Sequence, residues 1–177
     1  KCFERISGAK NASIIFDLDT HRLVLDFESA DGILQKFAMD EMSDGYKNTL
    51  SMIGDIAYRM AVLNPMLGEK VLEETPGVIL IDEIDLHLHP QWQQTIISDL
   101  ISIFPKIQFI VSSHAPAVIN SVSREQIRIL DNGEIYIPAA QTYGRDANSI
   151  LREVMKVSER PMRITELLKA FYVFMDN

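Results

Sequence analysis

The sequence predicts an α/β fold with a largely parallel central sheet, an N-terminal β-hairpin and C-terminal helices. Three observations carry this. Val78-Ile79-Leu80-Ile81 is an apolar run too short for a helix and without alternation, the pattern of a parallel strand buried on both faces. Ile107–Val111 repeats that pattern. Between them, residues 91–104 place Trp92, Ile96, Ile97, Leu100, Ile101 and Phe104 on one helical face. Strand, helix and strand at this spacing imply a right-handed crossover between parallel neighbours.

The other elements follow in order. Residues 13–18 and 22–27 read as a β-hairpin around Asp19-Thr20-His21, and residues 33–39 as a further strand after an Ala30-Asp31-Gly32 loop. Leu50, Ile53, Ile56, Ala57, Met60 and Ala61 recur at helical spacing, so a helix is expected from about Asp44 or Gly45 to about Leu63. Ser43 or Asp44 caps it, and Asn64-Pro65 ends it. Residues 67–75 form a short linker. Pro76-Gly77 then marks the turn into the first buried strand, Pro90 fits the first turn of the next helix, and Pro105 breaks that helix. A helical turn at 118–122 precedes a second hairpin, in which 126–130 and 135–137 flank Asp131-Asn132-Gly133-Glu134. A helix from about Ala147 to Val157 is broken at Glu159-Arg160-Pro161, and a last amphipathic helix begins near Met162. Arg145 and Asp146 read as a helix cap with a neighbouring surface charge.

Composition bounds the function. The 177 residues fit one domain, and 47% hydrophobic content supports a packed core. A net charge of −8 gives no bulk electrostatic case for binding nucleic acid. The single cysteine, Cys2, rules out an internal disulfide and fits a cytoplasmic location. No secretory signal is visible and no stretch is apolar enough to span a bilayer, so no membrane role is expected. The chain opens on Lys1 rather than Met and ends on an apolar segment without a clear cap, as a piece of a longer protein would.

Chemistry concentrates where the buried strands end. An unpaired charge inside a buried strand is costly, so Asp82 and Glu83 belong at its carboxyl end, where open α/β sheets bind ligands. Taken alone, the dipeptide reads better as a surface feature beyond a strand, where acidic residues are common. His114, after Ser112-Ser113, emerges at the same sheet edge from the second strand. At Ser43-Asp44-Gly45, a hydroxyl, a small residue and a helix N-terminus suit a phosphate, although a plain core helix carries the same cap. His87 and His89, with Asp82, Asp85 and His114, offer metal-ligand chemistry, but no closed-site spacing accompanies them. A Ser/His/Asp hydrolase is the weaker alternative, since no Gly-x-Ser-x-Gly elbow is present.

The order of these strings carries a resemblance. Val78-Ile79-Leu80-Ile81-Asp82-Glu83 resembles the Walker B element of ATP-binding-cassette ATPases, in which the Asp holds Mg2+, usually through water, and the Glu orients or deprotonates the attacking water. Met42-Ser43-Asp44-Gly45-Tyr46-Lys47 resembles the cassette signature, matching at Ser43, Gly45 and Lys47 and departing at Asp44 and Tyr46. Residues 85–90, with Asp85, His87 and His89, resemble the D-loop that crosses a dimer interface, and His114 resembles the switch histidine on the γ-phosphate. No Gly-x-x-x-x-Gly-Lys-Ser/Thr occurs, so a Walker A segment is expected upstream and this chain alone is expected to be inactive.

The set is similar to RecF-like, SMC-like and overcoming-lysogenization-defect ATPases. With Thr142-Tyr143-Gly144-Arg145-Asp146, it is also similar to the bacterial Septu and retron-associated anti-phage ATPases. The resemblance implies a P-loop NTPase fold, in which residues 1–140 are the carboxyl-terminal portion of a cassette-type ATPase head and 141–177 a helical extension. It further implies ATP and Mg2+, a homodimer of heads, and a nuclease partner or DNA in the full complex, in anti-phage defence or DNA repair. The alternative is a non-hydrolysing scaffold that binds a protein through its C-terminal helices.

Overall fold

A computed structural model describes residues 4, 10–29, 31–156 and 162–175. The readings at Cys2, Ala30, Val157 and the break at 159–161 lie outside the described residues. No helix among the described residues is long and apolar enough to cross a membrane. The chain divides into two compact units between Val118 and Ile119.

The first unit begins with an antiparallel sheet, β1 (Lys10–Asp17), β2 (Arg22–Glu28) and β3 (Leu34–Ala38), in the order β1-β2-β3. The expected hairpin and third strand are both present. Asp17 closes the hairpin: its Oδ1 accepts from the backbone N–H groups of Asp19 and Thr20, and its Oδ2 accepts from Lys36 Nζ at 2.8 Å. These bonds, the Lys36 one foremost, pull its pKa from 3.8 to about 2. A carboxylate with a depressed folded-state pKa stabilises above the ordinary carboxyl range, and that contribution is lost as pH falls through the folded value. Asp17→Asn is therefore expected to flatten the acid sensitivity of this sheet between about pH 4 and pH 2. A carboxyl chemical-shift titration with the Asp17 midpoint near 3.8 would contradict it.

Helix α1 (Asp44–Leu63) runs 20 residues from an N-cap at Ser43 to a C-cap at Asn64, within a residue of the expected span. Its first half and its last half serve different cores. Tyr46 and Leu50, with Met42 and Ala12, pack on Leu25 and Phe27 of β2. Ile56 and Met60 join Ile84, Ile96, Leu100 and Phe104 in the larger core. A 3-10 turn (Pro65–Lys70) and the short α2 (Val71–Glu74) then lead to β4 (Gly77–Ile81). Helices α3 (Pro90–Gln93) and α4 (Ile96–Ile103) cross over to β5 (Ile107–Val111), and β4 and β5 pair in parallel with Ile81 opposite Val111. A single helical turn, α5 (Pro116–Ile119), follows β5 and begins two residues before the expected one.

The strand expected over 126–130 lies at Ile129–Asp131 after a 3-10 turn at Arg124–Gln126, and the helix expected from Ala147 spans Ala147–Glu153. Two further features, both in the first unit, differ from expectation. The single helix read over 91–104 is broken at Gln94-Thr95, where Thr95 N bonds to Trp92 O at 3.1 Å, three residues back instead of four; Gln93 Nε2 also reaches the carbonyls of Leu88 at 3.2 Å and Asp85 at 3.5 Å. The β4–β5 pair is covered on one face only. Ile79, Ile81, Ile107, Phe109 and Val111 pack on the core, whereas Val78, Leu80 and Ile110 are exposed. The parallel sheet among the described residues thus has two strands.

The second unit carries the hairpin β6 (Ile129–Asp131) and β7 (Glu134–Tyr136), a separate antiparallel pair. Helix α6 (Ala147–Glu153) is capped by Asp146, which accepts from Ser149 N at 3.0 Å. Arg145 forks onto Glu153 with bonds of 2.6 and 2.9 Å. Asp146 is the cap that the sequence suggests, whereas Arg145, expected as a neighbouring surface charge, is paired with Glu153. Helix α7 (Met162–Met175) completes the described chain.

Candidate functional site

The carboxyl ends of β4 and β5 carry facing polar strings, joined by side chains as well as by backbone. Ser112 N donates to Ile81 O at 2.9 Å, and Ile84 N donates to Ser112 O at 3.1 Å, so the pairing continues beyond each strand. The Ser112 hydroxyl donates to Asp82 Oδ1 and accepts from Glu83 N at 2.8 Å. One serine therefore fixes both carboxylate residues. Glu83 has φ of 50°, a left-handed conformation costing a non-glycine residue about 1–3 kcal/mol, of the kind that clusters at functional sites. Glu83 and Asp82 are both exposed.

Ser113 does for Asp85 what Ser112 does for Asp82. Its hydroxyl donates to Asp85 Oδ1 at 2.5 Å, and His114 Nε2 lies 3.7 Å from Asp85 Oδ2. The carboxylate stands between the serine and the imidazole. A nucleophilic triad needs the imidazole in the middle, so the hydroxyl here is anchored rather than activated. Among the described residues no group of three or more His, Cys, Asp or Glu is placed to hold a metal by itself, which removes the support for the five-residue cluster reading. Asp82 with the Ser112 hydroxyl is a different matter. Hard oxygen donors, few in number, suit Mg2+, which keeps most of its water and needs one or two carboxylates.

A second feature lies at the start of α1. Ser43 is the N-cap, and its hydroxyl makes no capping bond. Asp44, the departure from the signature pattern, is 86% exposed and leans toward Lys47 at 3.9 Å. Ser43, Gly45 and Tyr46 line a cavity of about 630 Å3 with His87, Leu88, His89, Gln91 and Trp92. Tyr46 meets Trp92 edge-on, with centroids 4.1 Å apart. His89 Nδ1 accepts from Gln91 N at 3.3 Å and caps α3, leaving the proton of the neutral ring on Nε2. His87, at φ of 63°, turns its carbonyl onto the helix start.

Gly45 is required there. A Cβ at this position would lie 2.7 Å from His87 O. Gly45→Ala is expected to lower the unfolding midpoint, with a cost of about 1–3 kcal/mol for the forced shift outweighing the helix-propensity gain of about 1 kcal/mol. An Ala variant as stable as the wild type would show that the turn yields freely.

The sequence-predicted residues thus fall into two groups. Asp82, Glu83, Asp85 and His114 gather at the β4–β5 edge, and Ser43, Gly45, His87 and His89 gather around the start of α1. Sequence reasoning missed the clamping roles of Ser112 and Ser113. Their signal was positional: two hydroxyls at the end of the strand beside the Asp-Glu pair.

Fold and site together define an α/β lobe with a parallel β4–β5 pair and a polar edge at its carboxyl end. Residues 3–120 match the family described as "AAA domain, putative AbiEii toxin, Type IV TA system", and the chain belongs to that family. It is 41% identical over 133 residues to the "Retron Vc95 probable ATPase" of Vibrio cholerae serotype O1 biovar El Tor, covering 73% of this chain and 25% of that protein. It is 35% identical over 96 residues to the "Septu protein PtuA" of Bacillus mycoides, covering 54% of this chain and 13% of that protein. The chain therefore spans about a quarter or less of the length of these relatives. A solved structure described as "Structural biochemistry of ATP-driven dimerization and DNA stimulated activation of SMC ATPases" aligns at a TM-score of 0.43 and 17% identity, covering 87% of this chain and 86% of that one.

Proposed function

We propose that the complete protein binds and hydrolyses ATP with Mg2+ in a composite site shared by two heads, and that hydrolysis gates a nuclease or a DNA transaction in anti-phage defence or DNA repair. The observation that carries this is the Asp82-Glu83 pair at the carboxyl end of a parallel strand, fixed by Ser112 of the next strand. The family match and the names of the retron and Septu relatives support it.

In this reading Asp82 holds Mg2+, a task that one carboxylate can perform because water fills most of the coordination shell. When bound there, Mg2+ would offset charge on the phosphates. Glu83 accepts a hydrogen bond from the attacking water and takes its proton. His114 donates to phosphate oxygens as charge develops. Ser43 and the first N–H groups of α1 meet the phosphate of the nucleotide held by the other head, with Asp44 turned to Lys47. Asp85, His87 and His89 belong to the D-loop between the heads. Residues 1–140 form the carboxyl-terminal portion of the head, 141–177 a helical extension, and the protein works in the cytoplasm. The phosphate cradle comes from a Walker A segment outside this sequence, so this chain alone is inactive.

A second reading has its own observation. Phe171, Tyr172, Val173 and Phe174 of α7 are all exposed, which suits a scaffold that docks a protein through this helix. Mg2+-dependent ATP turnover by the purified complete protein separates the two: the scaffold reading expects none.

A further inference from the structure

We infer that Asp85 is the positioning residue for His114, and that Ser113 holds it to that task. This deepens the hydrolysis reading and rests on it. Asp85 is only 7% exposed, and a buried carboxylate is costly unless its oxygens are engaged. They are divided between two partners: Oδ1 takes the Ser113 hydroxyl, and Oδ2 faces His114 Nε2 at 3.7 Å.

His114 needs such a partner. Its side chain is 71% exposed, and Asp85 is its one side-chain partner among the described residues. An exposed imidazole otherwise samples several rotamers. The gap of 3.7 Å exceeds a direct hydrogen bond, yet it is short enough for the carboxylate to favour the ring orientation that turns Nε2 inward. The Nδ1 edge is then the one left for a ligand, and it donates to a phosphate oxygen when the ring carries both protons.

The mount is rigid. Ser113 Oγ also accepts from Ala115 N at 3.1 Å, so the residues on both sides of His114 are pinned by one hydroxyl. In the turn after β4, Leu88 N donates to Asp85 O at 3.1 Å and Gln93 Nε2 reaches the same carbonyl at 3.5 Å. The turn after Glu83 thereby divides its labour. His87 and His89 line the cavity at the start of α1, and Asp85 is turned to the neighbouring strand.

The test is a double-mutant cycle in the complete protein. Asp85→Asn keeps the shape and an acceptor for Ser113 but removes the charge facing His114. Turnover is expected to fall about tenfold with ATP affinity unchanged. In a His114→Ala background the same change is expected to cost less than about twofold, because there is no ring left to position. Should Asp85→Asn not fold, Ser113→Ala takes its place, with a smaller loss that His114→Ala also absorbs. Losses that multiply, or Asp85→Asn and Ser113→Ala both at wild-type turnover, overturn the positioning role alone, provided turnover still depends on Glu83. A wild-type protein without Mg2+-dependent turnover, or turnover indifferent to Glu83→Gln, overturns the hydrolysis reading and this inference with it.

Discussion

Glu83→Gln in the complete protein is expected to lower ATP turnover by about a hundredfold or more while nucleotide binding persists. The amide keeps the size and hydrogen-bonding reach of the carboxylate but cannot take a proton from water at neutral pH. Nothing in the fold depends on the charge. Glu83 is exposed, and its anchor to β5 is a backbone bond, Glu83 N to Ser112 Oγ at 2.8 Å, which the substitution leaves in place. The loss should therefore appear in phosphate release and not in the unfolding midpoint or in equilibrium binding of ATP. Turnover near the wild-type rate would remove Glu83 from the chemistry, and loss of binding would reassign it to holding the nucleotide.

The second large effect concerns which head supplies Ser43. Ser43→Arg fills the cavity at the start of α1 and should silence the site that uses it, so each parent variant falls by about a hundredfold. Mixing Glu83→Gln protein with Ser43→Arg protein then separates two geometries. If Ser43 acts on nucleotide held by the other head, every mixed dimer has one site with both lesions and one with neither. If it acts within its own chain, every site is damaged. Random pairing makes about half the dimers mixed, and one good site in each gives roughly a quarter of wild-type turnover. Mixed dimers must be shown to form, and a covalently linked dimer with a single Glu83→Gln must retain activity. With both shown, turnover no higher than that of the parents ends the shared-site reading.

Much of this arrangement was legible because it is written locally. The span of α1 follows from a period of apolar residues closed by Asn64-Pro65, and the strand ends at Ile81 and Val111 follow from the change to polar residues. What was hidden depends on residues far apart in sequence. The Ser112–Asp82 and Ser113–Asp85 bonds span 30 and 28 positions, and no spacing rule encodes them. The break between α3 and α4 lies in one backbone bond, Thr95 N to Trp92 O, three residues back, against a periodicity that argues for one helix. The exposed face of β4 escaped for a related reason. Continuous apolar sequence shows that both faces of a strand want cover, not whether cover is present in the residues at hand.

The contact of Gly45 with the His87 carbonyl has a consequence for a pair of heads. With a Cβ excluded at 2.7 Å, the start of α1 and the turn after Glu83 touch without slack. In a dimer with shared sites, those two parts of one chain belong to different nucleotides. In that arrangement each protomer would join one nucleotide to the other through this contact. If that contact couples the two sites, occupancy of the first biases the second, and by thermodynamic reciprocity the second biases the first by the same factor.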